Sequence, residues 1–313
     1  MEPKLLESLR NCKTLPVIPV LSIQILSMCQ DERADAKKMA DLIGHDPAFA
    51  AKLLSLSNSG FYARIPHKLT SLTQAVTVLG RDAIAVLALS FSLYRHLRGV
   101  EKSGFDHQQF WKRSILASVA GRSLAKWVAH PEGEVIFLGA LLQDIGMLAL
   151  HLTLNQAYHE VLTAAGPFHQ RLFELEQQRF GCDHAEVGAW LAHHWKLPDV
   201  FSVVIHGSHH PDQIQTLPEF LPMMKLVALS GIIAEIWSHP DMTHSVQDAL
   251  QATTTLLNQG PDMLDAILTE VGEGLPVASA WFDMDMGTKE ENDRIVQAAK
   301  EVFLQTSPTE QPT

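Results

Sequence analysis

The sequence is short of cysteine, of basic runs and of long uninterrupted apolar stretches, and each shortage argues against a class of protein. Its 313 residues hold three cysteines, Cys12, Cys29 and Cys182, widely spaced and with no Cys-x-x-Cys pair. That spacing argues against a disulfide framework or a cysteine-based zinc site and fits a reducing cytoplasm. No lysine or arginine run offsets the formal net charge of −11. A nonspecific nucleic-acid binder, which must neutralise phosphates, is therefore not expected. The N-terminus lacks the charged-then-apolar pattern of a signal peptide. The most apolar stretches, near 83–91, 135–150 and 221–237, are too short or carry polar interruptions, so no membrane span is expected. Alternating strand patterns, repeats of fixed period and low-complexity tracts are also missing.

What is present is helical periodicity nearly everywhere. A composition of 46% hydrophobic and 19% charged residues is ordinary for a globular chain large enough to bury a sizeable core. The start signals are specific. Asp35 can cap a helix to Ile43, and Asp46-Pro47 places an N-cap aspartate before a proline at the first helical position. Ser71 opens a short helix ending near Gly80, Asp183 can cap 184–195, and Thr288 with Glu291 has capping-box spacing. Further helices are expected at 15–29, 82–97, 107–129, 134–151, 154–164, 168–180, 198–207, 220–237, 244–258 and 261–271. Residues 272–287, rich in glycine and polar groups around Trp281 and Phe282, are expected to be irregular, and Thr306–Thr313 to be a disordered tail.

One segment stands out chemically. Residues 138–148 read Leu-Gly-Ala-Leu-Leu-Gln-Asp-Ile-Gly-Met-Leu, with Asp144 amid apolar neighbours. A buried lone carboxylate is costly unless paired, protonated or metal-bound. Histidine is plentiful at 16 residues and clusters at His193-His194, His206 and His209-His210. Other motifs accompany it in order. They are Leu15-Pro16-Val17-Ile18-Pro19, Ile43-Gly44-His45-Asp46-Pro47 followed by Leu53–Ser59, and Ser71–Val76 ending in Leu79-Gly80. Then come Phe110-Trp111-Lys112-Arg113-Ser114, the Asp144 segment, Gly181-Cys182-Asp183-His184-Ala185-Glu186-Val187-Gly188, and His209-His210-Pro211. Together, over about 15–212, they resemble the HDOD family, the bacterial HD-related output domain, a relative of the HD and HD-GYP metal-dependent phosphohydrolases.

The resemblance implies an all-α, multi-helix HD-like bundle. Its expected parts are an N-terminal helical subdomain at 1–100, a degenerate HD-like core at 101–212, a C-terminal helical extension at 213–305 and the tail at 306–313. It also allows a position-by-position comparison with a catalytic HD site, where histidines and carboxylates hold divalent metals that activate water. The first superfamily histidine falls on Arg113, the histidine of the His-Asp pair on Gln143, and the late aspartate near Ser230. Asp144 is kept, as are His184, His209 and His210. Arg113, a permanent cation, repels a divalent metal. No catalytic residue and no cofactor is therefore expected. A weak divalent ion at His184, His209 or His210 is the one exception considered. Arg113 is expected to neutralise Asp144 as a bidentate partner.

The resemblance further implies a noncatalytic signal-transduction module that binds a signalling protein in trans, or a nucleotide or other small ligand, at the vestigial site. The alternative is a residual phosphohydrolase or phosphodiesterase acting on a nucleotide. Phe61 and Tyr62, in the loop Asn58–Pro66, are the expected partner contacts. Each residue also has a structural reading. Asn58 and Ser59 can cap a helix C-terminus, Gln143 and Asp144 can be a buried polar pair serving fold specificity, and Trp111, Trp127, Trp190 and Trp195 can be core or rim aromatics.

Overall fold

Side-chain caps set several of the helix starts. The computed structural model describes residues 1–15, 17–30, 35–59, 68–98, 104–239 and 241–306. Helices dominate it, and no strand occurs among the described residues. Gly60, Phe61 and Tyr62, and the tail beyond Thr306, lie outside the described residues. By internal contacts the chain divides into one unit of Met1–Leu15, Lys102–Leu275 and Gly287–Thr313 and another of Pro16–Glu101 and Pro276–Met286.

The first helix is α1 (Pro3–Asn11). The second unit then holds α2 (Val20–Gln30), α3 (Ala36–Ile43), α4 (Pro47–Ser57), α5 (Leu72–Leu79) and α6 (Arg81–Leu97). Asp35 accepts from the Lys38 N–H, and Asp46 from those of Ala48 and Phe49. Ser71 and Gln74 form the reciprocal capping box. Gly80, at φ 84°, supplies the positive φ that lets α5 and α6 meet at a 110° bend. Asn58 closes α4, its amide donating to Leu54 O and Leu69 O while its oxygen accepts from the Leu69 N–H.

The remaining helices are α7 (His107–Trp127), α8 (Gly133–Leu142), α9 (Ile145–Leu154), α10 (Gln156–Ala165), α11 (His169–Phe180), α12 (His184–His194), α13 (Asp199–His206), α14 (Leu221–Ala234), α15 (Met242–Leu257), α16 (Pro261–Phe282) and α17 (Lys289–Thr306). In the first unit α7 packs on α8 and α14, and α12 on α9 and α13. Asp183 and Thr288 cap α12 and α17 as expected.

The segment after 212 packs on the core as expected, with α14 directly against α7 and α8. Three features depart from the sequence reading. Residues 1–15 group with the later chain, because α1 buries Leu5 and Leu9 and contacts α9. Residues 272–282 are helical despite Pro276 inside α16. An interior proline costs about 3 kcal/mol, but Trp281 and Phe282 are buried and stack within the second unit. Trp281 lies 5.7 Å from Phe91 and 6.1 Å from Phe49, and Phe282 lies 5.4 Å from Tyr94. Finally, Gly133–Leu154 and Pro218–Trp237 are long and apolar enough to cross a membrane by composition, yet 89% and 67% of these windows are buried inside the protein.

The expected helix 134–151 is broken at Gln143-Asp144, where Asp144 adopts φ −102°, ψ 8°. Beyond the break, Gly146 of α9 meets α12 backbone to backbone. A Cβ there would overlap the His184 carbonyl oxygen and sit 2.7 Å from Gly188 N. Gly146→Ala should therefore destabilise the protein by about 3 kcal/mol, the upper end of the overpacking range, since backbone cannot yield as a side chain would. Urea denaturation checks this; an unchanged midpoint would mean α9 and α12 separate freely. Cys182 offers a second test. Burial, and then Glu186, push its thiol up to about 12. In native protein at pH 8 Cys182 should resist alkylation and react only on unfolding, which peptide mass mapping can follow.

Candidate functional site

The α8–α9 break places Asp144 at a junction of five elements, with its side chain 2% exposed. Its Oδ2 forms an ion pair with Nη1 of Arg113 from α7. The Arg113 Nη2 reaches Glu235 Oε1 and Gly231 O, each at 3.4 Å. The guanidinium thus ties α7, α9 and α14 together and is itself largely enclosed.

The other carboxylate oxygen faces histidines. Asp144 Oδ1 lies 3.4 Å from His169 Nε2, 3.5 Å from His184 Nε2 and 3.5 Å from His209 Nε2. His184 Nε2 and His209 Nε2 are 2.7 Å apart, and His169 Nε2 and His209 Nε2 3.5 Å. Oδ1 is buried and makes no hydrogen bond among the described residues. His169 opens α11, His184 opens α12, and His209 follows α13.

Behind His184 is a buried network. Its backbone N–H donates to Glu176 Oε2 at 2.8 Å, and its Nδ1 is 2.6 Å from the same oxygen. Tyr158 donates to Glu176 Oε1 at 2.6 Å. Glu176 therefore fixes the imidazole with Nδ1–H toward the carboxylate, leaving the Nε2 lone pair aimed at the cluster. Burial and then the Glu176 charge hold the Tyr158 hydroxyl well above its ordinary value. Burial pushes His169 and His209 well below the usual histidine value, helped by the Arg113 cation and the neighbouring imidazoles. Near neutral pH both rings are uncharged. Arg113 is then the fixed positive charge against Asp144, although burial lowers its own pKa too, with Glu235 opposing.

Of the residues singled out in the sequence, Arg113, Asp144, His184 and His209 come together. Gln143 is adjacent and fully buried, but its amide folds back to Ala140 O at 3.0 Å, and its oxygen fits where Gly231 lacks a Cβ. Ser230 bonds back to Val227 O. His210 stays outside the cluster, its ring 4.5 Å from Phe173, and His194 stacks on Trp190. Sequence reasoning missed His169, Tyr158, Glu176 and Glu235. A signal existed for two of them. His169, Leu172 and Glu176 share one helical stripe at spacings of three and four, and a glutamate in register with a core leucine asks for a partner.

Catalytic HD sites hold divalent metals, so the donor set can be tested for fit. The Asp144 oxygen and three Nε2 atoms all lie within 4.8 Å of one another, which suits one cation. Arg113 stands where a further ligand would be needed for a second.

A helical bundle with a buried aspartate flanked by one arginine and three histidines is the class this geometry defines. The HDOD domain profile matches residues 15–211, and the chain belongs to the HDOD family. A candidate phosphohydrolase from Shewanella amazonensis SB2B superposes with TM-score 0.69 at 21% identity, covering 90% of this chain and 97% of that one. A candidate signal transduction protein from Marinobacter aquaeolei VT8 superposes with TM-score 0.56 at 20% identity, covering 96% and 64%. Likeness at these identities is one of fold. An uncharacterized protein of Treponema pallidum (strain Nichols) is 22% identical over 232 residues, or 70% of this chain. The match covers 42% of that relative's length.

Breaking the Arg113–Asp144 pair from one side should be costly. Arg113→Ala leaves a buried carboxylate without its counter-charge and should cost about 3–5 kcal/mol, whereas Arg113→Met with Asp144→Leu should cost far less. Denaturant titration of the two variants checks the order; equal losses would mean the pair carries no coupling.

Proposed function

We propose that the chain is a noncatalytic regulatory module of a bacterial signalling system, acting by binding a protein partner in trans or a small ligand at the HD-derived cleft. The observation that carries this reading is the Arg113 guanidinium on Asp144, where an HD enzyme would have a histidine and a metal. A guanidinium supplies charge but cannot lower the pKa of a bound water as a metal does. Gln143 turns back to its own helix, and Ser230, near which the resemblance would put the late aspartate, bonds back to Val227 O. Membership of the HDOD family supports a role in regulation, and the Marinobacter protein of the same fold is described in signalling terms.

The cleft over Arg113 has a volume of about 470 Å³ and is also lined by His169, His209, Glu235 and Asp248. Two carboxylates beside one guanidinium disfavour a polyphosphate. That charge balance favours a protein partner over a nucleotide in this reading, and over the alternative of residual nucleotide hydrolysis.

Purified protein supplied with manganese should release no product above the blank from cyclic or linear nucleotides. Turnover that requires manganese and is lost in Asp144→Asn would sink the noncatalytic reading. In a thermal-shift screen, nucleotides should leave the melting temperature unchanged. A rise that disappears in Arg113→Gln would instead make the chain a nucleotide sensor.

A further inference from the structure

The geometry points to a closed, four-ligand site for one divalent transition-metal ion, zinc foremost, formed by Asp144 Oδ1 and the Nε2 atoms of His169, His184 and His209, with a structural rather than hydrolytic role. This goes beyond the regulatory reading. It also differs from the sequence expectation of a weak ion at His184, His209 or His210, because His169 enters and His210 drops out.

Three observations carry it. The first is the shape of the donor set. Zinc bonds of about 2.0–2.1 Å in a tetrahedron separate the ligand atoms by about 3.4 Å. Four of the edges here are 3.4, 3.5, 3.5 and 3.5 Å, and a fifth is 2.7 Å. The second is an unmet donor requirement. Asp144 Oδ1 is buried without a hydrogen-bond partner among the described residues, in the one direction where three imidazole nitrogens converge. The third is the support behind a ligand. His184 Nδ1 binds Glu176, which Tyr158 holds in turn. This carboxylate–histidine arrangement fixes the metal-facing nitrogen as a lone pair and raises its basicity.

Charge agrees. Asp144 and Glu235 pair with a single guanidinium and Glu176 with His184, which leaves two carboxylate charges beyond the one arginine cation. A divalent cation cancels them. Arg113 is compatible with that ion, because it pairs with Oδ2 while Oδ1 points to the histidines. Three imidazoles and one carboxylate suit zinc, cobalt or nickel better than magnesium or calcium, which prefer all-oxygen shells. Four protein donors fill a tetrahedral shell and leave no position for a reactive water. The ion would pin the starts of α11 and α12 and the chain after α13 to the α8–α9 corner.

The test uses the untagged full chain, stripped with a chelator and then dialysed against zinc. One zinc per chain should be retained by elemental analysis, with a raised melting temperature. Cobalt in its place should give the intense visible bands of four-coordinate cobalt with nitrogen and oxygen donors. His169→Ala and His209→Ala should lose the ion, and His210→Ala should keep it. Glu176→Gln should bind about 10–100-fold more weakly. Circular dichroism confirms that each variant is folded, and the cobalt spectrum of the unaltered protein tests the geometry without any variant. No retained zinc, a six-coordinate cobalt spectrum, or full retention in His169→Ala would each overturn the proposal. Manganese-dependent nucleotide turnover would overturn the regulatory reading while leaving a zinc stoichiometry of one intact, so the two failures are separable.

Discussion

The structure depends on one buried carboxylate. Asp144 is 2% exposed and sits in the most apolar part of the chain, where an unpaired charge would be prohibitive. Its neutralisation cannot be local, because its sequence neighbours offer only Gln143 and aliphatic groups. The counter-groups come from α7, from the starts of α11 and α12, and from the segment after α13. Satisfying this carboxylate therefore specifies how five elements meet. The α8–α9 break serves the same end. A continuous helix would carry Asp144 along one packed face, whereas the turn aims its two oxygens at different partners. Gly146 then lets α9 approach α12 closely enough for His184 to reach them.

How much of this was legible in the sequence follows from the range of each interaction. Caps are local, so Asp35, Asp46, Ser71 with Gln74, Asp183 and Thr288 with Glu291 announce their helices within a few residues. The Arg113–Asp144 pair spans 31 residues and was legible only because both positions fall in motifs of a known family, where a lost histidine beside a kept aspartate demands a substitute. His169 and Glu176 lie in no such motif. They appear only on the buried stripe of an amphipathic helix otherwise rich in polar residues, where composition hides two inward-facing groups. The end of α16 was missed for the opposite reason. Pro276 and the glycines before it are strong local breakers, and they are overridden by ring packing of Trp281 and Phe282 against residues more than 180 positions earlier, which local propensity cannot see.

What Arg113 brings to the site is then a matter of what this cation can do. A guanidinium and a metal ion are alike as cross-links, since each draws several acceptors to one point. Arg113 gathers Asp144 from the α8–α9 corner and Gly231 O and Glu235 from the end of α14, and its planar fork does so with a geometry lysine could not reproduce. The two differ in chemistry. A metal has empty orbitals that accept a water and make it acidic; a guanidinium has only N–H donors, which orient acceptors and leave the pKa of water where it was. An arginine at this position therefore ties the helices together without itself activating a water. The histidines that remain face the opposite oxygen of the same carboxylate. Asp144 thus divides its two oxygens between an organic cation that holds the helices and a position lined by three imidazole nitrogens.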